Sequence, residues 1–329
     1  KLYAGGKGWA EALMRYGGGL LALAAEICTG HYDVLHVQGF KDARYEIPLY
    51  CKLKRHCGIL VHTVHNLLPH EASPRDRRLY GDFYRVCDLL VVHNLYCRQL
   101  LMDEYHLPPE KICVTPHGSY TQISPKEHQL HTEKTEFLQY GDLRRDKGVD
   151  ILLEALARMT ETQRSRVHVT VAGQQFPKLD ATDYAALIRE KGLEGRVTLQ
   201  LGHVPDEALD ALYQEADFCL FPYREIYGSG ALLMAYSYSK PVLASSIPAF
   251  EEETDGGCTG LLFPPEEPDA LKDAILRAAD WTEETYTRTQ SHIRQLVEEK
   301  YNWKHSAECL AEGYRNAWQR KQTSNAPGA

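Results

Sequence analysis

The chain has no long apolar run. None of its hydrophobic stretches approaches the roughly 20 residues that cross a bilayer, so no transmembrane helix is expected. A continuous apolar core is also missing after Lys1, where the chain is Gly-rich and amphipathic, and this weighs against a secretory signal. There is no broad excess of basic charge. The formal net charge is -8, with both signs mixed along the chain, so electrostatic capture of nucleic acid is not expected and an anionic ligand needs a local basic site. Paired cysteines are lacking: the nine cysteines are an odd number and no two form C-x-x-C. Cys51, Cys113 and Cys219 stand in apolar segments, as buried thiols do, which points to a reduced, cytoplasmic chain without a zinc ribbon or disulfide scaffold. Two catalytic signatures are absent as well. Gly228-Ser229-Gly230 lacks the G-x-S-x-G spacing of a serine hydrolase, and no complete G-x-G-x-x-G follows a strand as in nicotinamide dehydrogenases.

What is present is an ordinary globular composition, 43% hydrophobic and 25% charged, over 329 residues, enough for two domains. Short apolar runs rich in β-branched residues alternate with helical patterns. Strands are predicted at 34–38, 59–65, 89–93 and 112–116, then at 136–140, 167–172, 197–201, 218–221, 241–244 and 261–263. Helices are predicted at 149–159, 184–191, 207–216 and 269–279, with two long strandless ones at 283–300 and 304–321. Such alternation implies α/β folding with parallel sheets covered on both faces. The polar stretch 119–135 reads as a linker between two Rossmann-like, doubly wound sheets facing a cleft. The expected domains are 1–130, 131–303 and a C-terminal helix at 304–329 that packs back onto the first. No strand precedes Gly5-Gly6-Lys7-Gly8, so the first domain reads as shortened at its start.

Chemistry concentrates at strand ends. Tyr140-Gly141-Asp142-Leu143-Arg144-Arg145-Asp146-Lys147-Gly148 leaves a strand and opens a helix. It combines fixed amides, a helix dipole and mobile cations, which is what a diphosphate requires, although a solvated basic turn would look the same in isolation. A second loop, Pro222-Tyr223-Arg224-Glu225-Ile226-Tyr227-Gly228-Ser229-Gly230, repeats the arrangement, with Ser229 either capping the helix or donating to a phosphate. Both loops leave carboxyl ends of strands, where open α/β sheets bind ligands. In the first half, His62 reads as a buried, hydrogen-bonded histidine. His65 and Asn66 lie past the last apolar residue of their strand and are better placed for a ligand. His62 and His65 do not share a strand face, which weighs against zinc.

These residues, in this order, resemble the retaining glycosyltransferase family 4, with its two-domain GT-B architecture. The likeness includes His65-Asn66 with Pro69-His70-Glu71, Pro116-His117-Gly118, Gly141 to Gly148, Ala172-Gly173 and Gly202-His203-Val204-Pro205. It continues through Ala216-Asp217 leading to Pro222-Tyr223, then Ser229-Gly230, Pro241-Val242, Glu252 and Gly260-Leu261-Leu262. The resemblance implies transfer of a sugar from a nucleotide diphosphate sugar to a glycan, lipid-linked or small-molecule acceptor, with retained anomeric configuration. By it, Arg144 and Lys147 neutralise the departing diphosphate and His65 contacts the donor sugar. Asn66, Gly141, Glu225, Gly228, Ser229, Gly230 and Glu252 belong to the donor site. No metal and no further cofactor are implied, because the two cations supply the charge. The family's paired glutamates are a departure: their slots hold Ile226 and Met234, with Glu225 one residue early. A cytoplasmic chain, with contact to the inner membrane surface left open, is the expected setting. The competing readings are a non-catalytic GT-B protein that binds a sugar nucleotide, and a GT-B epimerase or phosphorylase.

Overall fold

The computed structural model describes residues 9–69, 72–120, 123 and 127–324; the stretch 5–8, His70 and Glu71 lie outside the described residues. The chain divides into two compact units, Lys1–Thr115 with Ala307–Ala329, and Pro116–Ser306.

In the first unit, helices and strands alternate: α1 (Trp9–Gly30), β1 (Tyr32–Val37), α2 (Ala43–Leu53), β2 (Cys57–Thr63), α3 (Pro74–Val86), β3 (Leu89–Val92), α4 (Leu95–Tyr105) and β4 (Ile112–Val114). The four strands pair in parallel in the order β1-β2-β3-β4. All four residues of β3, Leu-Leu-Val-Val, are buried, as a strand covered on both faces demands. Local signals set the helix starts. Ser73 and Asp76 close a reciprocal capping box with Pro74 in the first turn of α3, and the Asn94 side chain accepts the Cys97 amide at the start of α4. One face of this sheet is covered by the chain's last helix. Its Ala317 is buried among Ile59, Val61, Leu89 and Val91, with Leu310, Tyr314 and Trp318 beside it. Gly58 is needed there, because a Cβ would overlap the Trp318 indole.

The second unit contains β5 (Thr135–Tyr140), α5 (Val149–Ala157), α6 (Glu161–Arg164), β6 (Val167–Gly173), α7 (Tyr184–Glu190), β7 (Val197–Leu201), α8 (Asp206–Glu215) and β8 (Phe218–Phe221). It continues with α9 (Gly230–Ser237), β9 (Val242–Ser245), α10 (Pro248–Glu253), β10 (Gly260–Phe263), α11 (Pro268–Ala279) and α12 (Glu283–Glu299), before the last helix, α13 (Trp303–Ser324). The six strands are parallel in the order β10-β9-β8-β5-β6-β7. The chain therefore builds outward from β5 in one direction and then from β8 in the other. This is the doubly wound order, with its reversal between β5 and β8. Side chains alternate across the sheet: Phe137 and Phe218 enter the core on one face, Leu138 and Cys219 that on the other.

Candidate functional site

The carboxyl ends of β5 and β8 lie side by side, since Phe137 pairs with Phe218 and Leu138 with Cys219. Each opens into one of the glycine-containing loops, so both loops emerge at the point where the strand order reverses. Open sheets leave a crevice there, because the connections diverge to opposite faces.

Glycine makes the first loop feasible. Gly141 has φ of +143°, and its carbonyl would be overlapped by any Cβ at Gly173, the end of the adjacent β6. After Leu143, whose amide donates to the Gln174 carbonyl at 2.8 Å, the chain makes a short 3-10 turn, Arg145–Lys147. Gly148 then takes the left-handed conformation, φ +67°, at the N-cap of α5, and a Cβ on it would overlap the Pro222 carbonyl oxygen. The two loops therefore touch backbone to backbone at Gly148.

Arg224 straps them together. Its amide donates to the Asp146 carbonyl at 2.9 Å, and its guanidinium donates to the Arg145 carbonyl at 2.5 Å. The same guanidinium forms a two-pronged pair with Asp150 at 3.0 and 2.8 Å and reaches Glu266 at 3.0 Å. Sequence reasoning did not select Arg224; the signal available was its place directly after Pro222-Tyr223.

Lys147 is nearly buried, with 9% of its surface exposed. Its Nζ lies 3.9 Å from the centre of the Tyr223 ring and 3.7 Å from the Asp146 carboxylate. Burial lowers its amine to about 8, with Asp146 opposing the shift and Arg144 adding to it. Arg144 donates to the same Asp146 oxygen at 3.0 Å. Asp146 thus brings two cations onto one carboxylate oxygen. Below them, the buried amide of Gln139 on β5 donates to the Lys147 carbonyl at 2.8 Å, while its own oxygen has no hydrogen-bond partner among the described residues.

In the second loop, Ser229 is the N-cap of α9, its hydroxyl accepting the Leu232 amide at 3.2 Å. The capping role is filled, with the hydroxyl acting there as acceptor. Gly230 is exposed, with the Tyr120 hydroxyl 3.4 Å from where its Cβ would stand. Gly228 is half-buried and Glu225 exposed. Ile226 and Met234 pack against the apolar core beneath the loop, which explains why neither slot carries a carboxylate here. Glu252 is half-buried near the C-terminus of α10.

His65 and Asn66 belong to the first unit, in the turn after β2; β2 ends at Thr63, so both have left the sheet and are exposed. The Tyr84 hydroxyl fixes this turn by donating to the Leu67 carbonyl at 2.7 Å. His65 Nε2 is 3.3 Å from the Gln38 side-chain oxygen, past the end of β1. Its Nδ1 is 3.2 Å from His93 Nε2, past β3, and His93 Nδ1 is 2.9 Å from the Thr115 carbonyl, past β4. The carboxyl ends of all four strands are thus linked through imidazoles. Neither Gln38 nor His93 was singled out from the sequence, because nothing local marks them. His62 is a core residue, as expected: its Nδ1 is 2.9 Å from the Val37 carbonyl, and burial lowers its pKa to about 4.

Comparison with known proteins agrees with this layout. The model for glycosyltransferase family 4 matches residues 9–122, and that for the glycosyl transferases group 1 matches 134–280. The D-inositol 3-phosphate glycosyltransferase of Corynebacterium aurimucosum is 29% identical over 247 residues, covering 67% of this chain and 58% of that protein. The GDP-mannose:glycolipid 4-beta-D-mannosyltransferase of Xanthomonas campestris is 26% identical over 67% of this chain and 63% of its own. The chain spans less than two thirds of the length of these curated relatives. Among solved structures, the sucrose-phosphate synthase of Thermosynechococcus elongatus superposes with a TM-score of 0.77 at 20% identity, over 97% of this chain and 81% of that one. Anabaena HepE, solved with UDP and glucose, gives 0.73 at 17%, over 90% and 82%. These likenesses show the α/β GT-B fold. The two family matches fall one on each sheet, and on that evidence the protein belongs to glycosyltransferase family 4, the group 1 glycosyl transferases.

Proposed function

We propose that this chain transfers a hexose from a nucleoside diphosphate sugar to a glycan, lipid-linked or small-molecule acceptor, with retention at the anomeric carbon. The observation that carries the reading is the pair of interlocked loops at the switch point of the second sheet, with Lys147 and Arg144 held together on Asp146. As the glycosidic bond to the nucleotide breaks, charge accumulates on the departing diphosphate. Cations already in place and poorly solvated stabilise that charge more than they stabilise the ground state. Arg144 and Lys147 take that role, so no divalent cation is required for the step. The Gly141, Gly228 and Gly230 backbones and the first turns of α5 and α9 line the donor, with Ser229, Glu225 and Glu252 around it. The family resemblance assigns His65 to the donor sugar and Asn66 to donor binding.

Support for the donor class comes from the neighbours: HepE was solved with UDP, and the Xanthomonas relative is named for GDP-mannose and a glycolipid. No helix among the described residues is long and apolar enough to cross a membrane. A cytoplasmic place of action, with lipid-linked acceptors met at the membrane surface, goes with this reading.

The test is thermal stabilisation by a panel of nucleoside diphosphates and their sugar conjugates, followed by product analysis. A ligand at about 100 times its dissociation constant adds about 2.7 kcal/mol. The expected result is selective stabilisation by one base, then slow release of free sugar from the matching donor in the presence of a chelator. Stabilisation without turnover, with or without acceptors, would make the protein a sugar-nucleotide binder instead. Epimerised or phosphorolysed products would move it to another reaction class.

A further inference from the structure

Residues 127–134 lead into β5, and two of their side chains converge on one carboxylate. Asp217, immediately before β8, is fully buried. His128 Nε2 lies 2.8 Å from its Oδ1, and His131 Nδ1 lies 3.0 Å from each carboxylate oxygen. The backbone amides of His131 and Glu136 also donate to it, at 3.2 and 2.8 Å. Burial opposes ionisation of Asp217, but the His128 bond, the Glu136 amide and His131 outweigh it and hold the carboxyl below its usual range. Among the described residues, the only ion pairs to Asp217 are these two histidines, which carry charge only when protonated. Lys240, itself buried, adds attraction from a distance.

We propose that His128, His131 and Asp217 form a binding site for a divalent transition metal of the zinc class. One ligand atom from each, Nε2, Nδ1 and a carboxylate oxygen, lies within 4.8 Å of the others. Tetrahedral zinc with bonds of about 2.0–2.1 Å places its ligand atoms about 3.3 Å apart, so the nitrogens need to spread from the carboxylate by a few tenths of an ångström and, from within 4.8 Å of each other, to settle at about the same 3.3 Å separation. Two imidazoles and one carboxylate select zinc, cobalt or nickel over magnesium or calcium. His131 is 41% exposed, so the cluster meets solvent on that side, and water would be the fourth ligand. The site sits at the amino ends of β5 and β8, a strand's length, on the order of 13 Å, from the diphosphate loops at their carboxyl ends. Its role is to clamp the segment before β5 onto the sheet, independent of sugar transfer.

The experiment is a titration of the metal-stripped full chain with Co2+, followed by displacement with Zn2+. One equivalent with the visible absorption of four-coordinate cobalt is expected, bleached by Zn2+, with no thiolate charge-transfer band. His128→Gln, whose amide nitrogen falls where Nε2 does, and His131→Asn, whose amide nitrogen falls where Nδ1 does, retain an N–H donor for Asp217 but remove a metal ligand. Each should weaken binding by about tenfold or more without lowering the thermal midpoint of the metal-free chain. A second cluster, Asp255, Cys258 and His292, is the internal control, and Cys258→Ser should leave the signal unchanged. Absence of a visible band, binding that survives both histidine substitutions, or a signal abolished by Cys258→Ser would overturn the assignment.

Discussion

Lys147 carries the clearest conflict between stability and binding. Its amine is lowered to about 8 from an ordinary 10.5, because desolvation outweighs the attraction of Asp146. A group with a depressed basic pKa releases its proton on folding only at pH values between its folded and unfolded pKa. Below about pH 8 the ammonium is charged in both states, and the cost of burying it is present in full. Between about 8 and 10.5 the unfolded chain binds more protons, so stability rises with pH across that window. Lys147→Met removes the charge at nearly constant volume. The expected result is a variant more stable than the parent at pH 7, by up to about 3 kcal/mol, with the gap closing as pH rises past 8. The same variant should lose its stabilisation by nucleoside diphosphates. Urea melts at several pH values, with and without ligand, read both effects; lower stability at pH 7 would mean that the contacts with Asp146 and Tyr223 outweigh desolvation. The sequence shows Lys147 as a cation in a glycine-bracketed turn. It does not show the Tyr223 ring beneath it, because that contact joins loops 76 residues apart, as the two numbers give.

At the scale of elements, the two loops work as one object because Gly148 lets them approach and Arg224 fastens them. Gly148→Ala should therefore do more than strain one residue. Gly192 provides the comparison: its φ is +61°, close to the +67° of Gly148, but nothing lies within 4 Å of its Cβ position. Gly192→Ala should cost about 1 kcal/mol of backbone strain and leave ligand response intact. Gly148→Ala should cost about 1–3 kcal/mol more, because the Pro222 carbonyl must move, and it should abolish the response to nucleoside diphosphates. Equal losses in the two variants would show that the loops tolerate separation. Element positions were largely legible. The strand at 218–221 is read from its apolar run and found at the same residues, and α12 begins at Glu283 as its pattern indicates. Ends were less so. The apolar run of β2 suggests a strand to residue 65, yet ladder pairing stops at Thr63. The polar stretch read as linker to 135 gives up Thr135 to β5, because its amide bonds the Arg166 carbonyl at 2.9 Å. Backbone partners decide both, and a single segment's composition does not contain them.

On the scale of the whole molecule, α13 joins what the chain order separates. A helical period over 304–321 announces an apolar stripe but not the surface it covers. In the structure, Ser306 on the first turn of α13 donates to the Pro116 carbonyl at 2.5 Å, inside the second unit. From Ala307 onward the helix belongs to the first unit, over the face formed by Ile59, Val61, Leu89 and Val91. Lys321 donates to the Gly58 carbonyl and lies 3.7 Å from Asp88, which in turn accepts the Leu60 amide at 2.8 Å. Removing residues 307–329 therefore strips one face of the four-stranded sheet and leaves the six-stranded unit whole. The large side chains lost, Leu310, Tyr314 and Trp318, are worth at most roughly 1.5–3 kcal/mol each. Together that rivals the entire stability of a domain, on the order of 5–15 kcal/mol. The expected outcome is a chain whose first unit no longer melts cooperatively, while the transition of the second unit persists and still shifts with the stabilising nucleoside diphosphate. Calorimetry of the truncated and full chains, with and without ligand, distinguishes the cases. Loss of both transitions would show that the six-stranded unit depends on the first for its fold.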